Sequence, residues 1–253
     1  MQGSDRMRQQ ELGGGDFAGR VVVLLGGGSG LGRAVARAVC AQGGEVILGG
    51  RTAEKLEETA AELGSQVSWM QVDTSDPGSL ERFFSRVEHL DFLFNTTGDY
   101  VTGPLRELSF EEAESAFRAK FWGQYLAVKY ALPKMAQDGA VVLMAGADGA
   151  RPTVATPAYV ACNAALEGLA RGLAVELAPI RVNALSPGAM DGNFWSTRRP
   201  EEARREAFER YSRLNVLGRV GTEEEVARAV LFLFLNSYTT GTTLYVDGGL
   251  SMR

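Results

Sequence analysis

From Arg20 onward the chain alternates short apolar runs with longer segments of helical period. The runs are "RVVVLL", "EVILG", "QVSWMQV", "LDFLFN", "AVVLMA", "IRVNALS" and "TLYVDGG". Between them, helical patterns span 33–42, 53–63, 77–88, 110–132 and 157–178. Strand then helix, repeated, predicts parallel strands joined by crossover helices. The strand runs are continuously apolar, as expected when helices cover both faces of a sheet. Three helix starts carry side-chain signals of their own. Asp76-Pro77 offers a cap followed by a proline at the first helical position, while Ser109 with Glu112 and Thr222 with Glu225 have the spacing of capping boxes. The pattern predicts an α/β fold with a doubly wound, mostly parallel, seven-stranded sheet and helices on both faces. In such sheets ligands bind at the carboxyl ends of the strands.

The first strand runs into "GGGSGLG", residues 26–32. The spacing is G-x-x-x-G-x-G through Gly26, Gly30 and Gly32 rather than G-x-G-x-x-G, but the physics is shared. Residues without Cβ let the backbone turn sharply and approach a pyrophosphate, and the following helix offers unpaired N–H groups and a positive dipole end. A glycine-rich turn alone is equally a plain flexible loop; between the first strand and first helix of a Rossmann-like sheet it points to a dinucleotide. About twenty residues on, NAD-binding sheets place an acidic residue for the ribose hydroxyls. Here "LGGRT" puts Gly50 and Arg51 there. With no carboxylate to repel a 2′-phosphate, Arg51 favours NADP(H) and leaves NAD(H) open; the plainer reading of Arg51 is a solvated residue at a helix start.

Composition narrows the partners. With 253 residues and 45% hydrophobic content the chain can bury one sizeable core, and no linker-like stretch divides 17–253. Residues 1–16 read as a flexible tail with no signal-peptide run. A formal charge of -5 gives no footprint for nucleic acid or an anionic membrane. Cys40 and Cys162 read as core fillers, fitting a cytoplasmic location, and the single His89 predicts no metal site.

Gly26, Gly30 and Gly32, Asp73 in "QVDTSDP", "NTTG" at 95–98, Tyr159, "SPG" at 186–188 and "YVDGG" make the chain from about Phe17 to Gly249 resemble the classical short-chain dehydrogenase/reductase family. The resemblance implies that the loop residues Gly26, Gly28, Ser29, Gly30, Leu31 and Gly32 bind the cofactor together with Arg51, Asp73, Asn95, Gly98, Pro187 and Gly188, with Asp73 meeting adenine. In that family a tyrosine gives its proton to a carbonyl oxygen as hydride reaches the carbon. A lysine four residues on favours the tyrosinate and holds the nicotinamide ribose, a serine bonds the substrate oxygen, and an asparagine on the preceding helix supports a water.

Tyr159 matches, but its partners do not. The serine position is Gly146, the lysine position Asn163 (YxxxN for YxxxK) and the asparagine position Lys120. Lysine and asparagine look exchanged across two facing helices. The expected set is Tyr159 as acid, Lys120 as the displaced cation and Asn163 holding a water or ribose hydroxyl. The plain alternatives are a solvated Lys120, an Asn163 bonded to its own backbone and a packed Tyr159. The missing serine's bond could come from Asp148, Thr153 or Thr156, be replaced by water or be absent, and Gly192 stands where the family commonly has a threonine at the carboxamide.

Residues 189–218, with Phe194, Trp195, Tyr211 and the basic "RRPEEARRE", are expected to form a lid, and apolar helices to make a homotetramer or homodimer. Two functions remain open: an NADP(H)-dependent oxidoreductase acting on a small carbonyl or alcohol, and a catalytically impaired nucleotide-binding or sensing protein.

Overall fold

The computed structural model describes residues 15–197 and 200–252. Residues 1–14 of the expected tail, Arg198 and Arg199 of the basic cluster and the Phe194 side chain lie outside the described residues. The strands are β1 (Val21–Leu25), β2 (Glu45–Gly50), β3 (Val67–Gln71), β4 (Leu90–Asn95), β5 (Met135–Met144), β6 (Arg181–Pro187), β7 (Met190–Asp191), β8 (Gly221–Thr222) and β9 (Thr243–Val246). The helices are α1 (Gly30–Cys40), α2 (Ala53–Leu63), α3 (Pro77–Ser85), α4 (Phe110–Ala116), α5 (Gly123–Ala131), α6 (Pro157–Glu176), α7 (Asn193–Ser196), α8 (Glu201–Leu214) and α9 (Glu223–Leu235).

Seven strands form one sheet in the order β3-β2-β1-β4-β5-β6-β9, and its pairings among the described residues are parallel. The continuous apolar runs are explained by two cores. Successive β1 side chains point to opposite faces: Val22 and Leu24 pack with α1 and α9, Val23 and Leu25 with α3 and α5. The two capping boxes form, at Ser109 with Glu112 and Thr222 with Glu225, and Asp76 accepts from the Gly78 N–H.

Three boundaries differ from the sequence pattern. Helix α1 begins at Gly30, so the end of the glycine loop is already its first turn. Strand β5 begins at Met135, five residues before the apolar run. The expected 110–132 helix is interrupted by a π-helical segment, Phe117–Trp122, between α4 and α5. Such wide turns often occur at functional sites, and this one carries Lys120. Among the described residues no helix is long and apolar enough to cross a membrane.

The 189–218 region contains β7, paired with β8, and helices α7 and α8. Trp195 and Tyr211 are buried with Ala147 and Leu250 in a third, smaller apolar cluster, which seats this region beside the turn that follows β5.

Candidate active site

A cavity of about 650 Å3 opens at the carboxyl ends of β1, β4, β5 and β6. Strand order reverses between β1 and β4, and the crevice at such a reversal is where doubly wound sheets hold ligands. The wall contains Gly26, Gly28, Ser29, Gly30 and Leu31 after β1, Arg51 after β2 and Asp73 after β3. Gly98 follows β4, and Pro187 and Gly188 stand at the end of β6.

The glycines divide the work. Gly26 has φ +87, and a Cβ there would fall 2.2 Å from Thr96 Oγ1. Gly32 lies off the cavity wall: its Cβ would fall 2.3 Å from the Gly26 carbonyl oxygen, so it serves the close contact of α1 with the loop instead of touching a ligand. Gly28 and Gly30 face the cavity, and the first turn of α1, with its unpaired N–H groups, starts at that wall. This bare-backbone cradle, beside a helix start and within a cavity in the usual range for cofactor sites, fits a dinucleotide.

At the end of the cavity beside β2, Arg51 is joined by Lys55 on the wall. Nothing in the sequence singles out Lys55, which reads as an ordinary exposed helix residue, although it lies one turn beyond Arg51. The Asp73 carboxylate accepts from the Ser75 hydroxyl at 2.7 Å and its N–H at 2.9 Å. Those bonds, aided by Arg51, hold it below the usual carboxylate range, so it stays an acceptor.

At the other end Lys120 is buried, only 5% exposed. An ammonium has three donors and buried charges must be satisfied. Lys120 Nζ donates to the Ala145 carbonyl at 3.0 Å, to Tyr159 Oη at 3.1 Å and to Asn163 Oδ1 at 2.6 Å. Because Tyr159 Oη accepts from Lys120, its own O–H is left to point elsewhere, and Tyr159 lines the cavity. Tyr100, another wall residue that sequence reasoning passed over, meets the Tyr159 ring edge-on with centroids 4.8 Å apart.

Two expected site residues stand behind the wall. Asn163 is fully buried and off the cavity wall, with its Oδ1 accepting from Lys120 and its Nδ2 left as a buried donor without a partner among the described residues. Asn95 is 2% exposed, and its Oδ1 accepts from the Thr97 N–H and hydroxyl at 2.8 and 2.6 Å. It shapes the Thr96–Gly98 turn that does line the cavity. Gly146 and Asn163 are linked by space, since a Cβ at Gly146 would come within 3.2 Å of Asn163 Nδ2. Of the three substitutes for the missing serine only Asp148 lines the cavity. Burial pushes its carboxyl up, against the Thr153 hydrogen bond and the Lys120 and Arg210 charges.

Gly98 makes the Lys120 geometry possible, because a Cβ there would fall 2.9 Å from Lys120 Cβ and Cγ. Gly98→Ala should push the lysine stem aside and lower turnover by about ten- to a hundredfold with the thermal midpoint nearly kept. Unchanged turnover in the folded variant would show that the stem has room.

Residues 26–251 match the family model described as enoyl-(acyl carrier protein) reductase. The chain is 34% identical over 240 residues to an uncharacterised oxidoreductase of Schizosaccharomyces pombe, covering 92% of this chain and 91% of that protein. It is 32% identical over 240 residues to a 3-oxoacyl-(acyl-carrier-protein) reductase of Mus musculus, covering 92% and 98%. A crystal structure of a short-chain dehydrogenase/reductase from Brucella melitensis, described as a glucose/ribitol dehydrogenase, superimposes with a TM-score of 0.87 at 29% identity, covering 93% of this chain and 98% of that one. The extent of these matches, over the same sheet and cradle, places the chain in the short-chain dehydrogenase/reductase family of oxidoreductases.

Proposed function

We propose that the protein is an NADP(H)-dependent carbonyl reductase or alcohol dehydrogenase in which Lys120 acts on Tyr159 in place of a lysine at position 163. The observation that carries this reading is the 3.1 Å contact of Lys120 Nζ with Tyr159 Oη at the cavity wall. When bound, the nicotinamide supplies or accepts the hydride. Tyr159 gives its hydroxyl proton to the substrate oxygen as negative charge gathers there. Tyrosine is ordinarily a weak acid, titrating near 10, and the ammonium beside Oη stabilises the phenolate left behind. Asn163 and the Ala145 carbonyl hold Nζ in place. In the oxidising direction Tyr159 takes the proton back.

Arg51, with Lys55, gives the adenosine end a positive charge suited to a 2′-phosphate. NADPH should bind more tightly than NADH, and Arg51→Ala should remove about tenfold or more of that preference, the size of one charge-assisted hydrogen bond, while sparing NADH. Equal affinities in the parent protein would sink the preference. The 3-oxoacyl reductases among the relatives make a 3-oxoacyl thioester the first carbonyl to try, with residues 189–218 closing over it to exclude water. Trp122, just before α5, and Tyr125 on it are exposed, which supports a homotetramer or homodimer; sedimentation of the pure chain tests it. NADPH oxidation with a panel of carbonyls tests the activity. Tight NADPH binding with no turnover of any carbonyl would instead favour nucleotide sensing, the reading to which the missing serine at Gly146 lends support.

A further inference from the structure

Three glutamates open α9, and they have different fates. Glu225 completes the capping box with Thr222 and pairs with Arg219, and Glu224 faces solvent. Glu223 turns inward to the cavity wall, where its Oε1 accepts from the Asn193 N–H at 2.9 Å. The same oxygen would lie 3.2 Å from a Cβ at Gly30 and 2.1 Å from one at Gly192. A carboxylate therefore stands against the glycine cradle, between the start of α1 and the start of α7.

We infer that Glu223 gates the dinucleotide site: its negative charge stands beside the cradle that must receive a pyrophosphate, and binding requires that it take up a proton or move away. This inference rests on the dinucleotide reading above. Two anions in one partly desolvated site repel, and the carboxylate is the one that can be neutralised. Burial already pushes the Glu223 carboxyl up, and Glu224 and Asp191 push it the same way, against the Asn193 hydrogen bond. The cradle and the start of α7 meet it through Gly30, Gly192 and Asn193, which are uncharged. In the free protein Glu223 is ionised above its raised folded value, and the bound pyrophosphate raises that value further. Between the two values binding takes up a proton, so affinity increases as pH falls through that window.

The geometry also accounts for Gly192. Its φ of 179 is extended backbone that any residue adopts, so the conformation does not require glycine there. A side chain would instead collide with Glu223 Oε1, Cδ and Cγ at 2.1, 2.5 and 2.7 Å. Gly192→Ala should therefore drive the carboxylate out of the cradle.

The test is the affinity for NADP+ and NAD+ between about pH 5.5 and about pH 8.5, a range that starts above the ordinary titration of a carboxyl (~4.3) and spans that of a phosphate monoester (~6). Binding is followed by tryptophan fluorescence, and proton uptake is measured by calorimetry in two buffers. Glu223→Gln keeps an acceptor for Asn193 and removes only the charge. It should bind NAD+ about tenfold more tightly at the alkaline end, lose the proton uptake and flatten the pH dependence. Gly192→Ala should shift affinity the same way, and the double variant should add little. The 2′-phosphate of NADP+ titrates alike in every variant, and NAD+ lacks it. Equally tight binding with the same pH dependence in parent and Glu223→Gln would overturn the gate alone. Absence of binding in all variants at every pH would overturn the dinucleotide reading and the gate with it.

Discussion

Lys120→Met should lower turnover of a reactive carbonyl by about a hundred- to ten-thousandfold, the usual span for losing an acid or base in its working state. Methionine keeps an unbranched stem that passes Gly98 but ends without charge or donors. The phenolate formed when Tyr159 gives up its proton would then lose the ammonium that now lies 3.1 Å from Oη. Tyr159→Phe removes the proton itself and should cost as much. The two act as one unit, so the double variant should be little worse than the poorer single one. Asn163→Ala leaves the charge and removes only one of its three acceptors, so its loss should be smaller. Dinucleotide affinity and thermal midpoints measured beside the rates separate lost chemistry from lost folding. A folded Lys120→Met protein with parental turnover would rule out the proposed role of the lysine.

The strands and helices were legible because burial on both faces writes itself into continuous apolar runs, and because caps need particular side chains at fixed spacing. The site was legible only in part. Periodicity says nothing of a contact between residues 39 apart, and Lys120 with Tyr159 came into view through the family resemblance. The π-helical turn at Phe117–Trp122 has no sequence signal, and without it the helix pattern alone would not fix the direction of Lys120. Asn163 was expected at the ligand; that it is sealed behind Lys120 follows from a charge balance visible only once the three acceptors are placed. Glu223 was hidden in plain view, since acids in a first helical turn suit the dipole wherever they point.

The exchange of lysine and asparagine is physically coherent as a group. A buried ammonium needs three acceptors, and position 163 supplies one only if it carries an oxygen; at that spot the amide also needs the space that Gly146 leaves beside it. Restoring a serine at 146 without altering 163 would press on the residue that holds the lysine. The residues at 120, 146 and 163 thus pack as one arrangement, although Gly146 brings no hydroxyl to it.

Phe234→Ala should destabilise the fold by about 3–5 kcal/mol and leave the chemistry of the folded molecules intact. Phe234 is 1% exposed. Its ring stacks on Phe92 of β4 with centroids 4.9 Å apart and planes at 22°, and meets Phe17 edge-on at 6.4 Å. Phe17 in turn packs edge-on against Phe92 at 5.7 Å. Alanine would remove one member of a closed aromatic triad between α9 and the sheet, and rigid backbone on both sides limits how far the hole can collapse. A chain of this length should lose roughly 6–20 °C in its thermal midpoint, and its urea midpoint should fall with the slope unchanged. Phe234 lies eleven residues along α9 from Glu223, about 16 Å at the rise of a helix, so kcat and the dinucleotide affinity of the folded fraction should hold at low temperature. A destabilisation below about 1 kcal/mol would mean that the triad repacks. A fall in kcat at full stability would mean that the packing of α9 against the sheet reaches the site.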